Sequence, residues 1–309
     1  MIAALCGTQA SAYTLAPTGL PNQYAKWGSS NVAGTPGGVV TWGFVAAGTP
    51  GSSFCGDACA GSSVDALPNF YATPAVNNVT TPLSISSSTF QSVVDAAFST
   101  WSAAANIQFQ YTGIDSSLLA INDPAATAPM IRIGLYDFGP SATEAGAGFN
   151  PSPSGATGGG DIFFNALYGY QMATGPEGSA LQMFPNGGGL TMNDLQGLAL
   201  HEIGHAIGFL HSADPNAVMC GSPQIGTGTC FDYTHVSHML SPDDVAGVQF
   251  LYGVPVPEPG TSTLLGASLA GLAFSRRRRL NSRSWKARYG PARDGRSAGP
   301  RGESPQSRR

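Results

Sequence analysis

The sequence predicts an α+β domain, because strand-like segments come first and two capped helices follow in the C-terminal half. The chain has 309 residues, of which 42% are apolar and 10% charged. That is enough apolar material for a substantial core, and it excludes disorder of the whole chain. The 41 Gly and 23 Pro residues indicate many turns, long loops and fewer helices than average.

The strand-like segments are short apolar runs or alternate apolar with polar residues. The predicted strands are residues 39–45, 107–111, 130–138 and 161–164. Residues 46–82 are rich in Gly, Ser and Pro and predict a long excursion after the first strand.

Three segments predict helices. Residues 90–105 place apolar side chains at helical spacing, with Ser87 or Ser88 as the N-cap. Thr191 is the predicted cap of the second helix, with Asp194 completing a capping box, and this helix is expected to run to Gly208. Ser241 is the predicted cap of the last helix, followed by proline at its first position.

Charge is distributed very unevenly along the chain. Residues 1–275 hold 16 acidic and 2 basic residues, a net charge of −14, whereas residues 276–309 hold 12 basic and 2 acidic residues, a net charge of +10. A body this acidic would repel phosphate backbones, so we expect no nucleic-acid partner for it.

The two ends carry targeting signals. Residues 1–12 end in Ala-Ser-Ala, the form of a signal-peptidase site, and are interpreted as the remnant of a signal peptide whose start lies upstream; a chance match is the alternative. At the other end, VPEP at 256–259 precedes a short apolar run and four arginines, and this order resembles the PEP-CTERM sorting signals of exported bacterial proteins.

The sorting resemblance covers residues 254–279. It implies export to the cell surface or medium, transient membrane contact through residues 260–275, and processing by an exosortase-like membrane peptidase. The apolar run is shorter than a stable membrane span, and the arginines keep its C-terminal side cytoplasmic. Residues 280–309 are predicted to be a disordered basic tail.

Four of the five cysteines form two locally spaced pairs, Cys55 with Cys59 and Cys220 with Cys230. An even number at short spacing favours two disulfides in an oxidising compartment. Four free thiols remain the alternative, and the spacing fits none of the usual zinc-thiolate patterns.

The second helix carries a metal-binding motif. His201 and His205 are four residues apart, so they share one helix face, and Gly208 lets the chain turn to bring in His211. Three neutral nitrogens with an open fourth position are typical of a catalytic zinc. Glu202 is placed to act as general base, taking a proton from the attacking water and passing it to the leaving amine.

These residues resemble the metzincin zinc endopeptidases, HExxHxxGxxH, and more closely their matrixin branch, with Met219 in the methionine turn. The segment 240–253 resembles the closing helix of that family, and residues 26–28 and 41–44 resemble its opening. The resemblance spans most of residues 13–253. It implies a twisted mixed five-stranded sheet, an active-site helix, a small irregular C-terminal subdomain and a polypeptide substrate.

Departures from the family pattern carry their own predictions. The loop and strand that hold a second, structural zinc in matrixins contain no His here, so one zinc is expected. Asp161, after three glycines, fits the family's calcium loop, with a simple strand cap as the equal alternative. His235 and His238 are interpreted as ordinary loop residues.

Three functions follow from these patterns. The first is an exported zinc endopeptidase. The second is a catalytically silent surface or extracellular-matrix binding protein that keeps the fold, which the intact Glu202 disfavours. The third, a structural secreted protein with an accidental motif, is disfavoured by the matches at Met219 and the closing helix.

Overall fold

The structure is a computed structural model whose described residues are 12–51, 62–63, 70–72, 83–85, 87–138, 145–152, 159–166, 169–173, 175–180, 192–221 and 235–256. Its elements in chain order are β1 (Thr14–Leu15), β2 (Gly38–Val45), β3 (Phe70–Ala72), β4 (Leu83–Ile85), α1 (Ser87–Ala104), β5 (Ile107–Asp115), β6 (Ile131–Tyr136), β7 (Gly146–Gly148), β8 (Ile162–Asn165), β9 (Gly169–Gln171), β10 (Met192–Asp194), α2 (Leu195–Ala206), β11 (Phe209–Leu210) and α3 (Pro242–Tyr252).

The main sheet has five strands in the order β5-β2-β6-β8-β7. Neighbouring strands are parallel except β7, which runs antiparallel to β8 at the edge. This confirms the α+β class and the mixed five-stranded sheet. All four predicted strands are present as β2, β5, β6 and β8.

Helices α1 and α2 form the other side of the core. Every apolar position predicted for α1 is buried, from Phe90 to Ala105. The ring of Trp42 on β2 stacks on Phe98 at 4.9 Å, and the indole of Trp101 donates a hydrogen bond of 3.0 Å to Leu200 O in α2. The active-site helix is therefore packed against α1, which in turn packs on the sheet.

The observed ends of helices α1 and α2 correct two predictions made from the sequence. Helix α1 begins at Ser87, so both predicted caps, Ser87 and Ser88, lie inside the helix. The N-cap of α2 is Asp194, whose carboxylate accepts a hydrogen bond from Gln196 N, and the helix ends at Ala206 rather than Gly208. The capping box of α3, between Ser241 and Asp244, is confirmed.

Smaller strand pairs surround the sheet. Strand β1 pairs with β11, which ties the chain near Tyr13 to the region just beyond α2. The excursion after β2 contains β3, which pairs antiparallel with β4 just beyond it, and the sequence did not predict this pair. Most of the remaining residues of the excursion lie outside the described part. No helix among the described residues is long and apolar enough to span a membrane.

Candidate metal centre

Three imidazole rings converge at the end of α2. His205 Nε2 lies 3.1 Å from His201 Nε2 and 3.2 Å from His211 Nε2. Within the described part of the chain, these three residues form the one group of His, Cys, Asp or Glu side chains placed to hold a metal ion. The structure thus brings together the three ligands that the sequence predicts.

The protonation of two of these rings is fixed by backbone carbonyls. His201 Nδ1 lies 2.7 Å from Val218 O, and His205 Nδ1 lies 2.9 Å from Phe209 O. Because a carbonyl can only accept, each Nδ1 carries the proton and each Nε2 presents a lone pair.

Burial keeps the rings neutral. It lowers the pKa of His205 to about 4 and that of His201 well below its usual value, while the pKa of His211 is lowered less. The Nε2 lone pairs of His201 and His205 point at one another across 3.1 Å and repel, so this arrangement favours a cation between the rings. Tetrahedral zinc with zinc–nitrogen bonds of about 2.0–2.1 Å separates its ligands by about 3.3 Å, and the observed spacings fit it.

Gly208 redirects the chain as the motif predicts. Its φ is +110°, and a Cβ there would overlap the carbonyl oxygen of Ala25. No other residue type fits both the conformation and the space. The turn leads through β11 to His211, and Gly221 lies so close to the His211 ring that a Cβ there would come within 2.6 Å of the His211 Cβ.

Glu202 is buried beside the first ligand. Desolvation raises the pKa of its carboxyl to about 8, partly offset by a hydrogen bond from the backbone N–H of Gly148. Strand β7 can approach this closely because it is Gly-Ala-Gly. A Cβ at Gly146 would lie 3.0 Å from Glu202 Oε1, and one at Gly148 would overlap Glu202 O.

The methionine turn lies beneath the rings. Met219 is fully buried, with its sulfur against Gly204 of α2. Asp244 of α3 accepts hydrogen bonds from Val218 N at 2.8 Å and from Met219 N at 3.2 Å. Val218 O in turn accepts a hydrogen bond from His201 Nδ1. Asp244 therefore supports the predicted ligand His201 through Val218, a role that the sequence did not indicate.

The adjacent acid, Asp243, joins two distant segments. One of its oxygens accepts hydrogen bonds from the backbone N–H groups of Ala12 and Tyr13, and the other from the hydroxyl of Ser212 at 2.7 Å. Ser212 directly follows the predicted ligand His211. Asp243 therefore links the chain at residues 12–13 to the residue after His211.

Asp161 lies in a buried ion cluster away from the histidines. Its Oδ1 accepts from Arg132 N at 2.8 Å, and its Oδ2 accepts from Asn122 N and from the Arg132 guanidinium, which also pairs with Asp115 at 3.3 Å. Arg132 is 1% exposed. Protein donors therefore occupy the carboxylate, which supports the structural alternative over calcium binding.

Apolar packing fills the region where the resemblance places a second zinc. Phe163 is fully buried, 5.1 Å from the Tyr136 ring and 5.3 Å from the Phe149 ring, and Ala147 packs on the same cluster. The described residues of these strands contain no His, and the expectation of one zinc stays a prediction.

His238 lies in a loop, as the sequence predicts, and contacts the N-cap of α2. Its Nε2 lies 2.8 Å from Asp194 Oδ2, at the N-cap of the active-site helix, and its backbone N–H donates to Glu177. This hydrogen bond to Asp194 raises the pKa of His238. Its neighbour His235 makes a backbone bridge with Ala180.

Both disulfides stay predictions. Cys55, Cys59 and Cys230 lie outside the described residues, while Cys220 is half-buried directly after Met219. The signal-peptide remnant up to residue 11 and the sorting region from residue 257 onward also lie outside the described residues.

Two family models match the chain. The one described as Matrixin matches residues 72–253, and the one described as PEP-CTERM protein-sorting motif matches residues 255–279. Strand β2 precedes the first match, although it lies within the same five-stranded sheet.

Curated relatives match a shorter stretch. Matrilysin of Homo sapiens is 42% identical over 72 residues, covering 23% of this chain and 24% of the relative. Matrix metalloproteinase-15 of Homo sapiens is 38% identical over 68 residues, covering 22% and 9%, and Matrix metalloproteinase-16 of Rattus norvegicus is 39% identical over 70 residues, covering 22% and 10%. The chain thus spans about a quarter or less of these relatives.

Proposed function

Because the chain belongs to the matrixin family, we propose that it is a zinc-dependent metalloendopeptidase that hydrolyses peptide bonds of extended polypeptides. The observation that carries this proposal is the buried Glu202 beside three converging imidazole nitrogens. A site that only binds a metal has no use for a buried carboxyl at that position.

His201, His205 and His211 are the residues that would hold the zinc, each through Nε2. When bound by these residues, zinc would supply a Lewis acid and would lower the pKa of a water molecule at the site. Glu202 takes the proton of the attacking water and delivers it to the leaving amine. Burial raises the pKa of Glu202, which makes its carboxylate a stronger base than an exposed one.

The Gly148 N–H fixes the Glu202 carboxylate from the side of the sheet. The hydrogen bonds to Val218 O and Phe209 O keep two imidazoles in the tautomer that a metal needs. Preorganised groups of this kind lower the cost of reaching the transition state.

The test compares wild type with Glu202→Gln and His211→Ala, using casein or a peptide library. Glu202→Gln should keep one zinc per chain and lose about 10²–10⁴-fold in activity, whereas His211→Ala should lose zinc. Equal activity in Glu202→Gln would refute the general base. A wild type that holds zinc but cleaves nothing would favour the silent binding protein.

We further propose residues 13–253 as the catalytic domain and residues 254–279 as the sorting region, with cleavage near residues 257–259 releasing the exported body from its tail. The support is the match to a PEP-CTERM protein-sorting motif. A tag fused after Arg309 should be missing from the protein found outside the cell. Its presence there would contradict this processing.

A further inference from the structure

The side chain of Asn150, just beyond the edge strand β7, donates a hydrogen bond to the carbonyl that orients the predicted ligand His205. Asn150 lies two residues beyond β7, and its Nδ2 donates hydrogen bonds of 2.8 Å to His205 O and 2.9 Å to Phe209 O. Both partners are carbonyl oxygens, so the NH₂ group of the amide must face them, and its orientation is settled by chemistry.

We propose that Asn150 is a positioning residue of the metal centre. Phe209 O has two lone pairs, and its two partners are His205 Nδ1 and Asn150 Nδ2. The same amide holds His205 O in the last turn of α2. Asn150 thus bridges the two sides of the Gly208 turn and fixes the carbonyl that orients the His205 ring.

The backbone of Asn150 is anchored independently of α2. Its carbonyl accepts a hydrogen bond from Gly160 N at 3.2 Å, and the preceding Phe149 N donates to Asp161 O at 3.0 Å. Asp161 is in turn fixed by Arg132 through its carboxylate. The Asn150 side chain therefore links the end of α2 to a segment whose backbone is hydrogen-bonded to the residues before β8.

Loss of this amide should leave the fold in place but release the Phe209 carbonyl to water. The Phe209 carbonyl would then orient the His205 ring less firmly, although the hydrogen bond to His205 Nδ1 remains. Partners that orient metal-bound histidines are commonly worth 10- to 100-fold in metal affinity. The inference rests on the proposed zinc site, so the test has to distinguish failure of the Asn150 role from failure of the zinc site itself.

The test measures zinc dissociation constants by competition with a chelator, and the visible absorption bands of the cobalt-substituted protein. Asn150→Asp keeps the size of the side chain but turns an acceptor toward two carbonyls, and Asn150→Ala removes the amide. Asn22→Asp is the matched control, because it makes the same chemical change in an exposed turn outside the segment 195–221 that carries the histidines.

Both Asn150 variants should raise the zinc dissociation constant about 10-fold or more and shift the cobalt bands, whereas Asn22→Asp should do neither. Wild-type affinity and an unchanged cobalt spectrum in either folded Asn150 variant would overturn the inference, even if its melting temperature fell. Failure of the wild type itself to bind zinc would instead refute the proposed metal site.

Discussion

Replacing Asp244 by Asn tests whether the closing helix supports the metal centre. Asp244 is fully buried, and its two oxygens accept hydrogen bonds from three backbone N–H groups. Oδ2 accepts from Val218 N and Ser241 N, and Oδ1 accepts from Met219 N. Because an amide has only one accepting oxygen, it should turn to keep the two bonds at Oδ2 and leave the Met219 N–H without an acceptor.

The magnitude follows from two opposing effects. A buried donor without an acceptor costs about 1–3 kcal/mol, and the remaining bonds lose their ionic character. Burial raises the pKa of Asp244, so a neutral amide regains part of the cost of burying the charge. The net loss should be about 2 kcal/mol, which for a body of this size lowers the melting temperature by about 4–8 °C.

The assay is thermal unfolding of the zinc-free and zinc-loaded protein, followed by zinc competition. Asp244→Asn should melt lower in both forms and bind zinc about 10-fold more weakly, because displacement of the turn moves Val218 O away from His201. Asp123→Asn is the control, since the Asp123 side chain caps only a surface turn. A melting temperature within 1 °C of wild type, with unchanged zinc affinity, would refute the reasoning.

Two further substitutions test the ion pairs of the sheet and of the helix start. His238→Gln should lower the free energy of unfolding in urea by about 1 kcal/mol near pH 5.5 and by almost nothing near pH 9. Pairing with Asp194 raises the pKa of His238, so the stabilisation is lost as pH rises through that pKa. Equal losses at both pH values would contradict this. Arg132→Met should cost about 3–5 kcal/mol by leaving Asp115 and Asp161 buried without their cation, while calcium chelation should leave wild-type melting unchanged. A fall of several degrees on chelation would instead make Asp161 a calcium ligand.

The ligand set was predictable because it depends on local geometry. A spacing of four residues fixes two histidines on one helix face, and only glycine tolerates the turn that follows, so the pattern of residues 201–211 specifies the site before any tertiary contact forms. The buried face of α1 was predictable for the same reason, since its period of 3.6 is a property of the helix alone.

Helix starts were less predictable, because one residue type serves several roles. Aspartate is favoured both at the N-cap and three residues beyond it. The sequence Thr191-Met192-Asn193-Asp194 fits the capping box, but β10 extends through Asp194, which then caps α2 itself. Strand pairing decided between two locally acceptable choices.

The supports of the centre could not be predicted, because their partners are remote in sequence. Asp244 is 26 residues from Val218, Asp194 is 44 residues from His238, and Asn150 is 55 residues from His205. No periodicity relates such positions, and an Asn after a short strand has no distinctive pattern. Only the packing of β7 and α3 around α2 shows which polar side chains reach the ligands.

The same supports explain how two of the imidazoles are oriented toward one point. The Nε2 lone pairs of His201 and His205 face one another, and hydrogen bonds from both sides of α2 hold the carbonyls that orient the two rings. Val218 O is fixed through Asp244 of α3, whereas Phe209 O is fixed through Asn150 beside the sheet. Rings oriented in this way consume less of the binding energy of a metal in being ordered. Precision at the metal therefore depends on residues that never touch it.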